Sequence, residues 1–245
     1  MNDGAILRVN DLSFAYPGGP PVLDHVSFAV EPGESIALVG PNGAGKTTLF
    51  LSLAGVVRVP PGHIRVAGLD PGDPVQRRQL PSRVGIIFQN SDDQLFSSTI
   101  ADDVAFGPLN LGLPPEEVKQ RVRDALQRVG LAGFEERVPY HLSGGEKRRA
   151  AIAGVLAMRP EVLLLDEPSM FLDARGRREL IGWLSDYPQS KIIATHDLDL
   201  VLETCRRVVV LDRGSVRADG PVAEVLANAP LMDAHGLEVP YRLRG

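Results

Sequence analysis

Cysteine is nearly absent: Cys205 is the only one in 245 residues. No intrachain disulfide can form, and a cysteine-rich zinc site is excluded. Such usage fits a reducing compartment such as the cytoplasm. Long apolar runs are missing as well. No stretch approaches the roughly 18 uncharged apolar residues that cross a bilayer. The best candidate, residues 150–158, is closed by Arg149 and Arg159 and reads as part of a buried helix. Any membrane crossing must then belong to another chain. The start, with Asp3 early, lacks the basic-then-apolar pattern of a secretory signal. Positive charge is also in deficit, with 26 Lys and Arg against 31 Asp and Glu. That balance argues against a chain built mainly to grip nucleic acid. Low-complexity tracts and repeats of solenoid period are absent. With 44% hydrophobic residues, the chain can build one large α/β domain or two small ones.

Against these absences stands one dense motif, Gly40-Pro41-Asn42-Gly43-Ala44-Gly45-Lys46-Thr47-Thr48. It fits Gly-x-x-x-x-Gly-Lys-[Ser/Thr], the phosphate-binding P-loop. Residues 35–39 ahead of it read as a buried strand, and residues 47–54 as a helix stopped by Gly55. Glycines let successive backbone N–H groups face one anion, and the helix N-terminus adds partial positive charge. Lys46 is placed for the β- and γ-phosphates of ATP, and the Thr47 hydroxyl for Mg²⁺. A glycine-rich turn without a ligand would not need strand, lysine, hydroxyl and helix in this order.

The flanking chain alternates strand and helix. Residues 6–16 and 22–30 read as neighbouring strands, and 63–69, 84–88, 162–165, 191–195, 208–211 and 216–218 as further ones. Residues 114–130 form an amphipathic helix opened by proline and acids, with Val118, Val122, Ala125, Leu126 and Val129 on its stripe. Lys119, Arg121, Arg123 and Arg128 lie off that stripe and read as a solvated face. Ser143-Gly144-Gly145-Glu146 has capping-box spacing ahead of an apolar helix at 150–158. Residues from about 90 to 158 thus read as a helical insertion. Further helices are expected through Arg178, Leu180, Ile181 and Leu184, stopping near Pro188, and at 197–203.

Several strand ends carry chemistry. Asp166, after the apolar run 162–165, suits the Mg²⁺ shell, and Glu167 is placed as general base for water. Such an acid pair is common at strand ends, but this one follows a P-loop about 120 residues upstream. Gln89 can reach metal and water through its amide, or stand as a surface glutamine. His196 can bond the γ-phosphate or orient water, or be structural. Tyr16 can stack on a base or fill a strand end. Ligands of parallel α/β sheets sit at this carboxyl edge.

On these motifs the chain resembles the nucleotide-binding subunits of ABC transporters over nearly its whole length. The resemblance implies one cassette domain over residues 1–245. Its parts would be an α/β P-loop NTPase core sheet of RecA-like type, an N-terminal antiparallel β subdomain, the helical insertion and a short tail at 230–245. It also implies ATP hydrolysis with Mg²⁺ held through Thr47, Gln89 and Asp166. Leu142-Ser143-Gly144-Gly145-Glu146 is similar to the signature motif that contacts ATP held by an opposite subunit, with Glu146 where glutamine is commoner. Tyr16 matches the base-stacking aromatic, Gln89 the Q-loop, Asp173 the D-loop and His196 the switch histidine. Met170-Phe171-Leu172-Asp173 departs from the usual D-loop pattern.

Residues 88–96 and 102–108, with His235-Gly236-Leu237-Glu238 in the tail, are similar to the energy-coupling-factor branch, importers of cobalt or nickel ions and vitamins. That likeness implies a homodimer or heterodimer of ATPases at the cytoplasmic face of the membrane. An integral transport subunit and a substrate-specific membrane subunit would join them, and no nucleic acid. Asp92 and Asp93 with Leu95 and Phe96 would dock a basic, amphipathic helix of the membrane subunit. The plain alternative is an acidic helix start with both apolar residues turned inward. A soluble ABC ATPase acting on nucleic acid or ribosomes usually has two cassettes or a long coiled coil, and neither fits 245 residues. A P-loop GTPase would need an Asn-Lys-x-Asp motif, which does not occur.

Overall fold

The computed structural model of the chain describes residues 4–170 and 172–244. Two long strands come first, β1 (Leu7–Ala15) and β2 (Pro21–Val30), then β3 (Ser35–Val39), which leads through residues 40–45 into helix α1 (Lys46–Leu53). β4 (Ile64–Val66), the short α2 (Pro74–Arg77) and β5 (Val84–Ile87) follow. Three helices are next, α3 (Ile100–Asn110), α4 (Pro115–Arg128) and α5 (Gly144–Ala157). Alternation then resumes with β6 (Val162–Asp166), α6 (Ala174–Asp186), β7 (Ser190–Ala194), α7 (Leu198–Thr204) and β8 (Arg207–Asp212). β9 (Ser215–Pro221), α8 (Val222–Ala227) and α9 (Ala229–Ala234) complete the order.

These strands make two sheets. β2-β1-β4 is antiparallel, and β5-β6-β7-β3-β8-β9 is parallel through its first five strands with β9 antiparallel at one edge. Strands covered on both faces must be apolar on both. In β6, Val162 and Leu164 face a core shared with Leu7 and Phe28 of the small sheet and with Leu49 and Phe50 of α1. Leu163 and Leu165 face the other core, with Val122 of α4 and Ile152 of α5. The small sheet and α1 thus share one face of the large sheet. Phe50 is fully buried there. Phe50→Ala is expected to lower stability by about 3–5 kcal/mol, read from chemical denaturation. A loss below about 1 kcal/mol would contradict that packing.

One row of the large sheet fixes the site. Leu38 of β3 pairs with Ala194 of β7, and Ala194 pairs on its other side with Asp166 of β6. Beyond the row, Glu167 N–H donates to Ala194 O (2.8 Å), and Thr195 N–H to Leu38 O (3.3 Å). Three strands therefore release the P-loop, Asp166-Glu167 and Thr195-His196 at one level.

The structure departs from the sequence expectations or refines them in four places. The strand expected at 63–69 stops at Val66, because Ala67 (φ 47°) and Gly68 (φ 79°) turn left-handed. α3 lies inside the expected helical insertion, which set no bounds for it; Pro108 sits in its last turn, and the Thr99 side chain caps its start by accepting from Asp102 N–H. α5 begins at the capping box rather than at residue 150. Arg121 is not part of a solvated face. It pairs with Glu117 (2.7 Å) and donates to the Ala157 and Met158 carbonyls (3.3 and 3.4 Å), closing the C-terminus of α5.

Candidate active site

The loop between β3 and α1 needs its glycines for space. A Cβ on Gly40 would lie 1.9 Å from Leu211 O, and one on Gly45 (φ 104°) would lie 2.8 Å from Val22 O. Gly45 is the N-cap of α1 and has no side chain to occupy the first-turn amides, which stay available to an anion. Lys46 is buried, with Nζ donating to Gly40 O (2.7 Å) and Pro41 O (3.0 Å). Burial holds its pKa below the usual lysine range, opposed by the charges of Glu167 and Asp166.

Opposite the loop stand the two acids. Thr47 Oγ1 donates to Asp166 Oδ2 at 2.9 Å. Burial pushes the Asp166 carboxyl above the usual carboxylate range, with the Thr47 bond opposing. Glu167 adopts φ 46°, a left-handed backbone that costs a non-glycine residue about 1–3 kcal/mol. Three groups gather on its Oε2: Thr195 Oγ1 donates at 2.9 Å, His196 N–H at 3.4 Å, and His196 Nδ1 lies at 2.9 Å. Residues 40–48, Gln89, Asp166, Glu167 and His196 all line one cavity of about 570 Å³. Gln89 Nε2 lies 2.9 Å from Met170 Sδ, which lines it too. A larger cavity of about 780 Å³ lies between α5 and α6. It lacks a phosphate loop and an acid beside a hydroxyl, so the chemistry assigns nucleotide to the smaller one. Among the described residues no three His, Cys, Asp or Glu could together hold a metal ion. The hydroxyl, amide and single carboxylate present instead suit Mg²⁺ that shares its shell with phosphate oxygens.

Other expected residues lie apart from this cavity. Tyr16 does not line it; its hydroxyl is 3.3 Å from Thr48 Oγ1 and its ring meets Phe14 edge-on at 5.0 Å. Ser143 and Glu146 form a capping box, with Ser143 N–H donating to Glu146 Oε2 (2.8 Å) and Glu146 N–H to Ser143 Oγ (3.3 Å). The Ser143 hydroxyl also holds the Glu146 carboxyl below the usual glutamate range. Gly145 lines the larger cavity and Gly144 opens α5. Asp173 caps α6 by accepting from Gly176 N–H at 2.7 Å. Phe171 lies outside the described residues.

The 92–96 segment divides. Leu95 is half-buried and packs against the core. Phe96 is 63% exposed and meets exposed Phe106 of α3 edge-on at 4.9 Å. Asp92 pairs with Lys147 of α5 (2.7 Å), and Asp93 Oδ1 accepts from Asn90 Nδ2 (3.2 Å).

Sequence reasoning missed Thr195, Gly236 and Leu237, of which the last two line the cavity from the C-terminal segment. A polar residue ending an apolar strand was the available signal for Thr195. The other two stand in the tail segment that carries the energy-coupling-factor resemblance, but nothing local places them at the nucleotide cavity. Arg148, 3% exposed, was missed as well.

A phosphate loop, an acid beside its threonine, and a glutamate joined to a strand-end histidine define a P-loop nucleotide hydrolase. Residues 23–170 match the family model described as ABC transporter, and the chain belongs to that family. It is 51% identical over 242 residues to a Gloeobacter violaceus protein named for the family alone, an ABC transporter ATP-binding protein, covering 97% of this chain and 98% of that one. It is 44% identical over 242 residues to the energy-coupling factor transporter ATP-binding protein EcfA of Methanothermobacter thermautotrophicus, covering 96% of this chain and 77% of that one. Among solved structures, cbiO1 of Clostridium perfringens, part of the ABC transporter complex cbiONQ, superposes with a TM-score of 0.83 at 36% identity over 98% of both chains.

Proposed function

We propose that this chain is the ATP-hydrolysing subunit of an energy-coupling-factor importer. One observation carries the reading. The Thr47–Asp166 bond and the Glu167–His196 pair, both 2.9 Å, line the same cavity as the phosphate loop. Lys46 and the free amides of α1 bind the phosphates of ATP. The Glu167 carboxylate takes a proton from water as the water attacks the γ-phosphate and the bond from the γ-phosphorus to the bridging oxygen breaks, ADP leaving with that oxygen, and His196 orients Glu167 and the phosphate. Thr47, Asp166 and Gln89 would hold Mg²⁺, which, when bound, neutralises phosphate charge. Tyr16 lies beside Thr48 for contact with the base. Ser143, Gly144, Gly145 and Glu146, with Asp173, act on nucleotide held by a second cassette. The relatives named EcfA and cbiO1 support an importer of the energy-coupling-factor kind; a cobalt ion, nickel ion or vitamin as cargo, and a peripheral place at the cytoplasmic membrane face, follow from the sequence resemblance.

Docking on the membrane subunit is assigned to Asp92, Asp93 and Phe96, with Phe106 in place of Leu95. Acids beside two exposed rings suit a basic, amphipathic helix. Asp92→Lys combined with Asp93→Lys is expected to weaken capture of the membrane subunit at physiological salt by tenfold or more, on the order of 1.4 kcal/mol. ATP binding by the isolated chain should be unchanged. Full capture by the double variant would remove the assignment.

A further inference from the structure

Arg148 is a buried cation with no counterpart in the chemistry above. It lies in the first half of α5, one turn after the capping box, and points into the main sheet rather than into solvent. Nη1 donates to the carbonyl of Phe88 and, at 3.4 Å, to that of Gln89. Nη2 donates to the carbonyls of Asp166 and Glu167, both at 3.3 Å. One planar guanidinium thus bridges the ends of two strands, β5 and β6, at the residues that enter the catalytic cavity. Its Nε is buried with no hydrogen-bond partner among the described residues.

This is an expensive arrangement if stability were its only purpose. A buried charge loses hydration, and an apolar side chain of similar volume often serves a core as well or better. Burial presses the Arg148 pKa down to about 10, opposed by the charges of Asp166 and Glu167, so it stays a cation at neutral pH. What the guanidinium supplies that methionine cannot is a rigid fork fitted to several acceptors at once. The cavity of about 780 Å³ borders the same stretch of α5, lined by Gly145, Arg148, Ile152, Leu180 and Trp183. The first turns of α5 are therefore held to the sheet through Arg148 beside an open space. The neighbouring Lys147–Asp92 pair ties the same turns to the segment after Gln89.

We propose that Arg148 is a positioning residue: it locks the signature helix α5 to the backbone that carries Gln89 and Glu167, so that movement of that helix is transmitted to the carboxylate that takes the proton from water. The proposal rests on the ATPase reading above. A displacement of α5, whether caused by a second cassette at Ser143 or by a membrane partner at Asp92, then shifts the carbonyls of Gln89 and Glu167 together. Arg148 itself does not line the phosphate-loop cavity.

The test uses the full chain and two variants, Arg148→Met and Arg148→Lys. ATP affinity and stoichiometry come from nucleotide titration, and kcat and KM from steady-state phosphate release. Both variants should bind one ATP per chain with affinity within about threefold of wild type, because the P-loop is untouched. Arg148→Met should lose about 10²-fold in kcat, as expected when a catalytic group is misplaced by an ångström. Arg148→Lys keeps the charge but has one nitrogen to span two strand ends, so it should lie between the methionine variant and wild type. Arg148→Lys with kcat within twofold of wild type would overturn the proposal. So would a fall in kcat matched by an equal fall in ATP stoichiometry in either variant, since that marks loss of folded protein. Should Arg148→Met not fold, the lysine variant alone decides. Failure of wild-type protein to hydrolyse ATP under any condition would instead strike the ATPase reading.

Discussion

Glu167→Gln is expected to lower ATP turnover by about 10²–10⁴-fold while ATP affinity stays near wild type. The amide is isosteric and keeps an oxygen to accept from Thr195 Oγ1, which lies 2.9 Å from Glu167 Oε2. The left-handed backbone at φ 46° is no harder for glutamine than for glutamate. What disappears is the capacity to take a proton from water. Phosphate release measured beside nucleotide titration separates the two effects. A variant keeping more than half of wild-type turnover would show that another group accepts the proton. Lys46→Ala provides the contrast. It removes the ammonium now bonded to Gly40 O and Pro41 O, so affinity itself should fall.

The second large effect concerns assembly. Within one chain, Ser143 and Asp173 lie outside the phosphate-loop cavity, where they only cap α5 and α6. A head-to-tail pair of cassettes would bring each signature segment to the other's ATP. ATP then favours the pair by its differential affinity, about 1.4 kcal/mol for each tenfold. Two sites at tenfold each would tighten dimerisation roughly 100-fold. Glu167→Gln should show this best, because its ATP persists. Sedimentation is expected to give monomer without nucleotide and dimer at saturating Mg-ATP. Monomer under both conditions would mean that a different partner cassette is required.

The readable part of this protein is the part written contiguously. The phosphate loop, Asp166-Glu167 and His196 each follow an apolar strand directly, so strand period and motif order locate them. Arg148 is different. Its acceptors lie at Phe88, Gln89, Asp166 and Glu167, distant in the chain and joined only when β5 pairs with β6 and α5 crosses them. Gly236 and Leu237 reach the cavity for the same kind of reason. Leu95 and Phe96 are adjacent and both apolar, so the packing of one against the core and the exposure of the other depend on the turn that Asn90 caps. In α3, tertiary packing outweighs local preference. A Cβ on Gly107 would lie 2.6 Å from Met158, so this glycine is what lets α3 lie against the end of α5.

The shared row of Leu38, Ala194 and Asp166 has a consequence for how this chain can vary. Substitution within β6 or β7 changes packing at one point. Insertion or deletion of a single residue shifts everything after it by ~3.3 Å and turns each side chain to the opposite face. A gap in β6 would carry Glu167 out of line with Thr195, and one in β7 would carry His196 out of line with Glu167. An ångström already suffices to lose about 10²-fold in rate. Length, more than identity, is therefore the guarded property of these two strands. Changes in residue number belong in turns such as 67–68 and 111–114, whose far ends meet no second strand at the catalytic level.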